Sequence, residues 1–357
     1  MLTQTPSTNG HTTMSETKIS LAVKHLRALS QEQLHDLLLR ASKGGFTLGD
    51  AIRSAVQNPD SSVGAYAGDA DSYDTFAEFF GPLIEEYHGF NGTHVTDFDV
   101  TKISTEPVDP TGEAIVSTRI RVGRNLAAYP LAPLITREQR LDLMNKVSAV
   151  LKEKLTGDLA GEFYPLEGMS EETRVQLVQD HFLFKQGDRF LESVGANRDW
   201  PEGRGIFHNA DKTALVWINE EDQLRIISMQ KGGDIRAVFD RLARMVEIIN
   251  ASLPLSYHPK YGAVSSCPTN LGTAMRASVH VKIPFVSARP DFKEICQDLK
   301  LSIRGVDGEH SESKGGIYDI SNKRRLGVSE VDAVTTMYEG IKKLLAMERE
   351  MAAAAAV

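Results

Sequence analysis

Ala114-Ile115-Val116-Ser117-Thr118-Arg119-Ile120-Arg121-Val122 marks the point where the hydrophobic pattern of this chain changes its period. Inside this stretch apolar and polar residues alternate, with arginines at alternate positions, which reads as a β-strand. Upstream the spacing is helical. Leu21, His25, Leu26 and Leu29 recur every three or four positions, and Ser30 with Gln33 forms a capping-box pattern before Leu34, Leu37 and Leu38. Thr47 to Val56 reads as helix, Asn58 to Asp69 as a loop, and Tyr73 to Tyr87 as a helix carrying Phe76, Phe79, Phe80, Leu83 and Ile84.

Downstream, Ala214 to Ile218 and Leu224 to Met229 read as strands joined by the acidic turn Asn219-Glu220-Glu221-Asp222. Ser278 to Ile283 and Leu301 to Arg304 are further strands, and Arg236 to Ile249 is a helix between strands. A last helix opens on the Ser329/Asp332 capping box and places Val334, Met337, Tyr338, Ile341 and Leu345 on one face. The expected organisation is a disordered leader over 1–15, a small helical domain over 16–100, and a linker over 101–112 bearing Pro107, Pro110 and Gly112. A larger domain follows over 113–357, which the strands and helices make α/β or α+β.

A chain of 357 residues is long for one simple core, in keeping with two domains. Its formal charge of −8 argues against a general nucleic-acid partner, and no run of eighteen apolar residues suggests a membrane span. The start lacks the basic-then-apolar pattern of a secretory signal. Two cysteines, Cys267 and Cys296, do not make a disulfide framework, so the expected setting is the reducing cytoplasm.

Arg119, Arg121, Arg225, Arg276 and Arg304 all fall on or at the end of strand-like segments. A guanidinium fork suits phosphate oxygens, so five of them could clamp a polyphosphate. Each alone could equally be a solvated sheet residue, and pattern does not establish that they converge. No Walker-type loop and no kinase-type glycine loop is present, so a nucleotide would be held by side chains. Glu221 in its turn, and Glu309 in the glycine-punctuated loop Arg304-Gly305-Val306-Asp307-Gly308-Glu309-His310, could together orient a cationic substrate. Cys267 could be a thiolate beside that cation or a buried structural thiol, and His181 and His280 could contact a nucleotide.

Cys267-Pro268-Thr269-Asn270-Leu271-Gly272-Thr273, followed by Met275-Arg276-Ala277-Ser278-Val279-His280, closely resembles the signature of the phosphagen (ATP:guanidino) kinases. The resemblance runs through Ser117 to Arg121, Asp180 to Lys185, Arg204 to Asn209, Trp217 to Met229 and Tyr318 to Gly327, in the family's order. It implies an α+β fold, with a small all-α N-terminal domain and a larger domain whose antiparallel sheet is flanked by helices. It also implies reversible phosphoryl transfer from ATP, with ADP as product and Mg2+ held by phosphates and water rather than by a protein cage.

Carried over by motif, the nucleotide-binding set is Ser117, Thr118, Arg119, Ile120, Arg121, His181, Arg225, Arg276, Ala277, Ser278, Val279, His280, Arg304, Gly305, Val306, Asp307, Gly308 and Glu309. Glu221, Glu309, Cys267 and Arg225 form the catalytic set. Within the family the chain is most like the arginine kinases. Glu309 resembles their second substrate carboxylate, and the short loop Asp60-Ser61-Ser62-Val63-Gly64-Ala65-Tyr66 resembles their specificity loop. Substrate binding is therefore expected from Ser61, Ser62, Val63, Gly64, Ala65, Tyr66, Glu221, Cys267 and Glu309, acting on L-arginine. Asp60 and Arg189 resemble an interdomain ion pair of that subgroup. Ser62 and Asp307 depart from its pattern, which keeps another guanidine, such as taurocyamine, as an alternative. A protein-arginine kinase and a silent nucleotide-binding protein are the other readings. The resemblance further implies a monomer.

Overall fold

The computed structural model describes residues 19–305 and 315–355. The expected leader, and Val306, Asp307, Gly308 and Glu309, lie outside the described residues.

Helices α1 (Leu21–Ala28), α2 (Gln31–Leu39), α3 (Leu48–Ala51), α4 (Arg53–Gln57), α5 (Ser72–Thr75) and α6 (Ala77–His88) build the N-terminal part. The Ser30/Gln33 capping box closes the start of α2 as its spacing predicts. Two expected helices are each broken in the middle. Ile52 (φ −97°, ψ 2°) separates α3 from α4, and Phe76 (φ −113°, ψ 39°) separates α5 from α6. Phe76 is fully buried, so packing of the aromatic ring overrides the local helical preference. The buried face of α6 carries Phe79, Phe80, Leu83 and Ile84, and Gly89 ends it in the left-handed region.

The larger part is built on an eight-stranded antiparallel sheet. Its strands are β1 (Ile115–Arg124), β2 (Gly161–Pro165), β3 (Gly205–Asn209), β4 (Ala214–Ile218), β5 (Leu224–Lys231), β8 (Met275–Lys282), β9 (Leu301–Arg304) and β10 (Ile317–Asn322). A small hairpin of β6 (Tyr257–His258) and β7 (Gly262–Ala263) stands apart. The order is β2-β3-β4-β5-β1-β8-β10-β9, which places the arginine-bearing β1 at the centre between β5 and β8. Helices α7 (Arg137–Lys154), α8 (Glu171–Gln179), α9 (Arg189–Ser193), α10 (Ile235–Ser252), α11 (Pro284–Ser287), α12 (Phe292–Asp298) and α13 (Glu330–Ala355) complete the chain.

The alternation of β1 decides what each face of the sheet does. Ile120 and Val122, with Ala277, Val279, Leu224 and Ile226, join the apolar core formed with α7, α10 and α13. On α10 the stripe Ile235, Val238, Phe239, Leu242, Met245, Val246 and Ile249 is buried there. Each such side chain contributes about 1.5–3 kcal/mol on full burial. The opposite face carries Ser117, Arg119 and Arg121, and it is the functional one. A second core joins the N-terminal helices to Leu131, Tyr261, Val264, Leu271 and Leu326, so the signature loop lies between the two cores.

Candidate active site

Register brings the basic side chains together. Arg121 is directly opposite Arg276 across β1 and β8, and on the same strand pair Arg119 faces Ser278 and Ser117 faces His280. Arg225 reaches the same face from β5, and Arg304 on β9 stands opposite Asp319 on β10. A cavity of about 260 Å³ is lined by Ser117, Arg119, Arg121, His181, Arg276, Ser278, His280 and Arg304. Trp217 lies under two of the arginines, its ring 5.4 Å from Arg119 and 5.6 Å from Arg225.

Next to it, a cavity of about 530 Å³ shares Arg121, Arg276 and Arg304, adds Arg225, and is also lined by Ser61, Ser62, Val63, Gly64, Ala65 and Tyr66. That loop is pinned by its carbonyls: Ser62 O accepts from Leu21 N at 3.0 Å, Val63 O from Ala22 N at 2.9 Å and Gly64 O from Ala55 N at 3.1 Å. The amides of Val63, Gly64 and Ala65 donate to no backbone carbonyl among the described residues. Gly64 adopts φ +73°, and a Cβ there would meet that of Ala55 at 2.6 Å. Only glycine lets the loop lie this flat on α4.

Glu221 projects into this larger cavity from the β4–β5 turn. The turn is anchored by its neighbour Asp222, which accepts from Asn125 Nδ2 and from Ser265 Oγ, each at 2.8 Å. Glu221 Oε1 accepts from Asn270 Nδ2 at 3.3 Å and Oε2 from Arg225 Nη2 at 3.4 Å, while Arg225 Nη1 donates to Glu220 at 3.0 Å. Cys267 is buried beside it, with its Sγ 3.1 Å from Thr269 Oγ1.

The electrostatics are those of a site prepared for charge. Burial raises the proton affinity of Glu221, with the Asp222 charge adding to the effect and Arg225 opposing it. Burial also pushes the Cys267 thiol up to about 12, helped by Glu221, so it is a thiol at neutral pH. Arg119 is held down to about 10 by burial and by the charges of Arg225 and Arg276. Its Nε and Nη2 are buried with no partner among the described residues. Donors left in that state are costly, and an anionic ligand would satisfy them.

Four side chains expected at the nucleotide lie elsewhere. Thr118, Ile120, Ala277 and Val279 point to the helix-facing side of the sheet, where they are fully buried, and Thr118 Oγ1 donates to Gly232 O at 2.8 Å. The motifs are contiguous in sequence but a strand alternates, so half of each motif is core. Gly305 closes β9 and lines a neighbouring cavity behind it. His181 is exposed, with φ 60°. Residues that sequence reasoning left out include Trp217 and Asp319, the latter paired to Arg276 at 2.9 Å. Asn270 and Arg325 also belong here; both stand inside the recognised motifs, but no spacing rule marks them.

Comparison with known proteins agrees with this architecture. The model of the ATP:guanido phosphotransferase C-terminal catalytic domain matches residues 142–351, and that of the N-terminal domain matches residues 16–85. The chain is 54% identical over 327 residues to an arginine kinase of Anthopleura japonica, covering 90% of this chain but 46% of that protein. It is 49% identical over 340 residues to an arginine kinase of Limulus polyphemus, covering 93% of each. Among solved structures, a lombricine kinase superposes with TM-score 0.89 at 36% identity, covering 94% of this chain and 93% of its own. The duplicated taurocyamine kinase of Schistosoma mansoni, with bound transition-state-analogue components, gives TM-score 0.87 at 43% identity, covering 93% of this chain and 46% of its own. The cleft of convergent arginines and a turn glutamate belongs to a phosphotransferase. This chain is a member of the ATP:guanido phosphotransferase family, the phosphagen kinases, which use ATP and ADP.

Proposed function

We infer that the chain catalyses reversible phosphoryl transfer between ATP and the guanidino group of L-arginine, giving phosphoarginine and ADP. The observation that carries this reading is the larger cavity, where Glu221 and the arginines face the short loop Ser61–Tyr66 across a space of about 530 Å³. The polyphosphate would lie on Arg119, Arg121, Arg225, Arg276 and Arg304, with Ser117, Ser278, His181 and His280 towards the rest of the nucleotide. The amides of Val63, Gly64 and Ala65, which meet no backbone acceptor among the described residues, fit the α-carboxylate of an amino acid, with the Tyr66 hydroxyl as a further donor. Relatives of about half identity that bear the name arginine kinase support the same substrate.

Transfer needs alignment and charge neutralisation more than covalent help. Glu221 accepts hydrogen bonds from the guanidinium and fixes one nitrogen in line with the γ-phosphorus. Glu309 would be the second carboxylate. As the N–P bond forms, the bond from phosphorus to the bridging oxygen of ADP breaks, and the nitrogen's proton passes to a carboxylate. A guanidinium is a poor nucleophile, since its pKa lies above about 12. Mg2+ would accompany the nucleotide on phosphate oxygens and water, the ligands it favours, and neutralise part of the developing charge. Cys267 lies too high in pKa to act as a thiolate in the ligand-free protein, and its place beside Glu221 makes it part of the guanidinium pocket.

A cytoplasmic enzyme acting as a monomer completes the reading. Cys267 and Cys296 are both free and buried, which suits a reducing compartment, and no described helix is long and apolar enough to cross a membrane. A second reading, taurocyamine as substrate, is favoured by the exposed Ser62 at the mouth of the loop and by the likeness to a taurocyamine kinase. Phosphorus NMR of a mixture of enzyme, Mg-ATP and L-arginine tests the proposal. A phosphoramidate signal should grow as that of γ-phosphate falls, and added ADP should reverse it. Loss of γ-phosphate to inorganic phosphate alone would contradict it.

A further inference from the structure

We propose that Arg325 is a positioning residue for the transfer, fixing the Glu221 carboxylate through the side-chain amide of Asn270. This rests on the reading of Glu221 given above.

Arg325 Nη1 donates to two acceptors of the signature loop, Thr269 O at 3.0 Å and Asn270 Oδ1 at 2.8 Å. The other end of the same amide, Asn270 Nδ2, donates to Glu221 Oε1 at 3.3 Å. Guanidinium is a donor only, so its contact decides which way the amide faces. With Oδ1 held by Arg325, the NH2 must face the carboxylate. A freed amide could turn its oxygen to Glu221 and displace it. Because Arg225 holds the other oxygen, Oε2, at 3.4 Å, the carboxylate is clamped from both sides.

The main chain of Arg325 supports the same loop. Its carbonyl accepts from Thr273 N at 2.9 Å and from Thr273 Oγ1 at 3.2 Å. Gly272 has φ +93°, and a Cβ there would come within 2.3 Å of Arg325 O, so the two segments are in close backbone contact. Arg325 also lines the cavity that Glu221 enters, and its charge opposes protonation of Glu221. A purely structural arginine would have no reason to be joined to the reacting carboxylate through a single oriented amide. An arginine that binds phosphate would instead turn its donors to the cleft, whereas Nη1 here is committed to the loop.

The test uses the full chain, with whichever guanidine the wild-type enzyme phosphorylates. Failure of the arginine assignment would therefore appear in the wild type, separately from these readings. Arg325→Gln should lower kcat tenfold to a hundredfold, keep the ADP dissociation constant within threefold by calorimetry, and move the acid limb of kcat to higher pH. Asn270→Ala should lower kcat comparably, and the double variant should be no more than threefold below the weaker single. Arg325→Lys keeps a cation able to bridge both acceptors, so it should recover most of kcat and restore the acid limb. If Arg325→Gln does not fold, Arg325→Lys and Asn270→Ala decide the matter. The proposal is overturned if ADP affinity falls in step with kcat, if losses multiply in the double variant, if the acid limb stays fixed, or if Asn270→Ala retains kcat within threefold.

Discussion

Arg121 on β1 stands directly opposite Arg276 on β8, two like charges paired in the middle of the sheet. Such a pairing is destabilising, and burial of Arg121 together with the charges of Arg225, Arg119 and Arg276 holds its proton affinity well below the usual range. Asp319 offsets part of this through its contact with Arg276. The cost persists until an anion enters. Arg121→Met should therefore leave the melting temperature of the ligand-free protein unchanged or higher, since apolar replacement of a buried charge is often neutral or stabilising. The same variant should weaken ADP binding at least tenfold, about 1.4 kcal/mol. Calorimetry of both properties checks the pair.

Glu221→Gln keeps the size and one acceptor but removes the charge and the proton sink. Turnover should fall by about a hundredfold or more while ADP affinity stays within a few-fold, a loss confined to the transition state. Steady-state kinetics beside ADP titration measures the split.

The raised proton affinity of Glu221 has a definite pH consequence. A carboxylate that binds its proton more tightly when folded lowers stability as pH rises from the ordinary carboxylate range through its own higher pKa. Above that pKa the full cost is present. Glu221→Gln should then melt higher than wild type at pH 8, and the gain should vanish near pH 4. Activity runs the other way, because the acceptor must be ionised. The acid limb of wild-type kcat/KM, which reports the free enzyme, should lie above the ordinary carboxylate range.

Arg124 and Glu330 form a fully buried pair at 3.3 Å, and Arg124 also donates to Gly123 O and Thr273 O. Glu330→Gln leaves an uncompensated buried cation and should cost about 3–5 kcal/mol. A lower denaturant midpoint at unchanged slope would record it. By contrast Asp60 and Arg189, though paired, are 65% and 55% exposed in their side chains. Asp60→Ala should leave the melting temperature nearly unchanged, because water and salt screen so exposed a pair.

The fold was largely legible because two periods of hydrophobic pattern divide the chain near Ala114, and β9 and the hairpin around Glu221 fall where alternation places them. What could not be read was pairing. Nothing in Tyr318-Asp319-Ile320 reveals that Asp319 meets Arg276, or that Trp217 underlies Arg119 and Arg225, because these contacts depend on strand order and register. The motif approach overreached at Thr118, Ile120, Ala277 and Val279 for the complementary reason: contiguity in sequence ignores that strand neighbours face opposite ways. The helix breaks at Ile52 and Phe76 carry no local signal: at the first, Ala55 N donates to Gly64 O and Ala51 O accepts from Tyr66 N, and at the second the Phe76 ring is buried. Glu309, the second carboxylate of the proposal, lies outside the described residues.

Coupled measurement of ADP formation from Mg-ATP, with L-arginine, taurocyamine, lombricine and creatine presented singly, tests the central claim most directly. L-Arginine should give the highest kcat/KM, at least tenfold above each of the others. Preferred turnover of taurocyamine or lombricine, or no turnover with L-arginine, would contradict it.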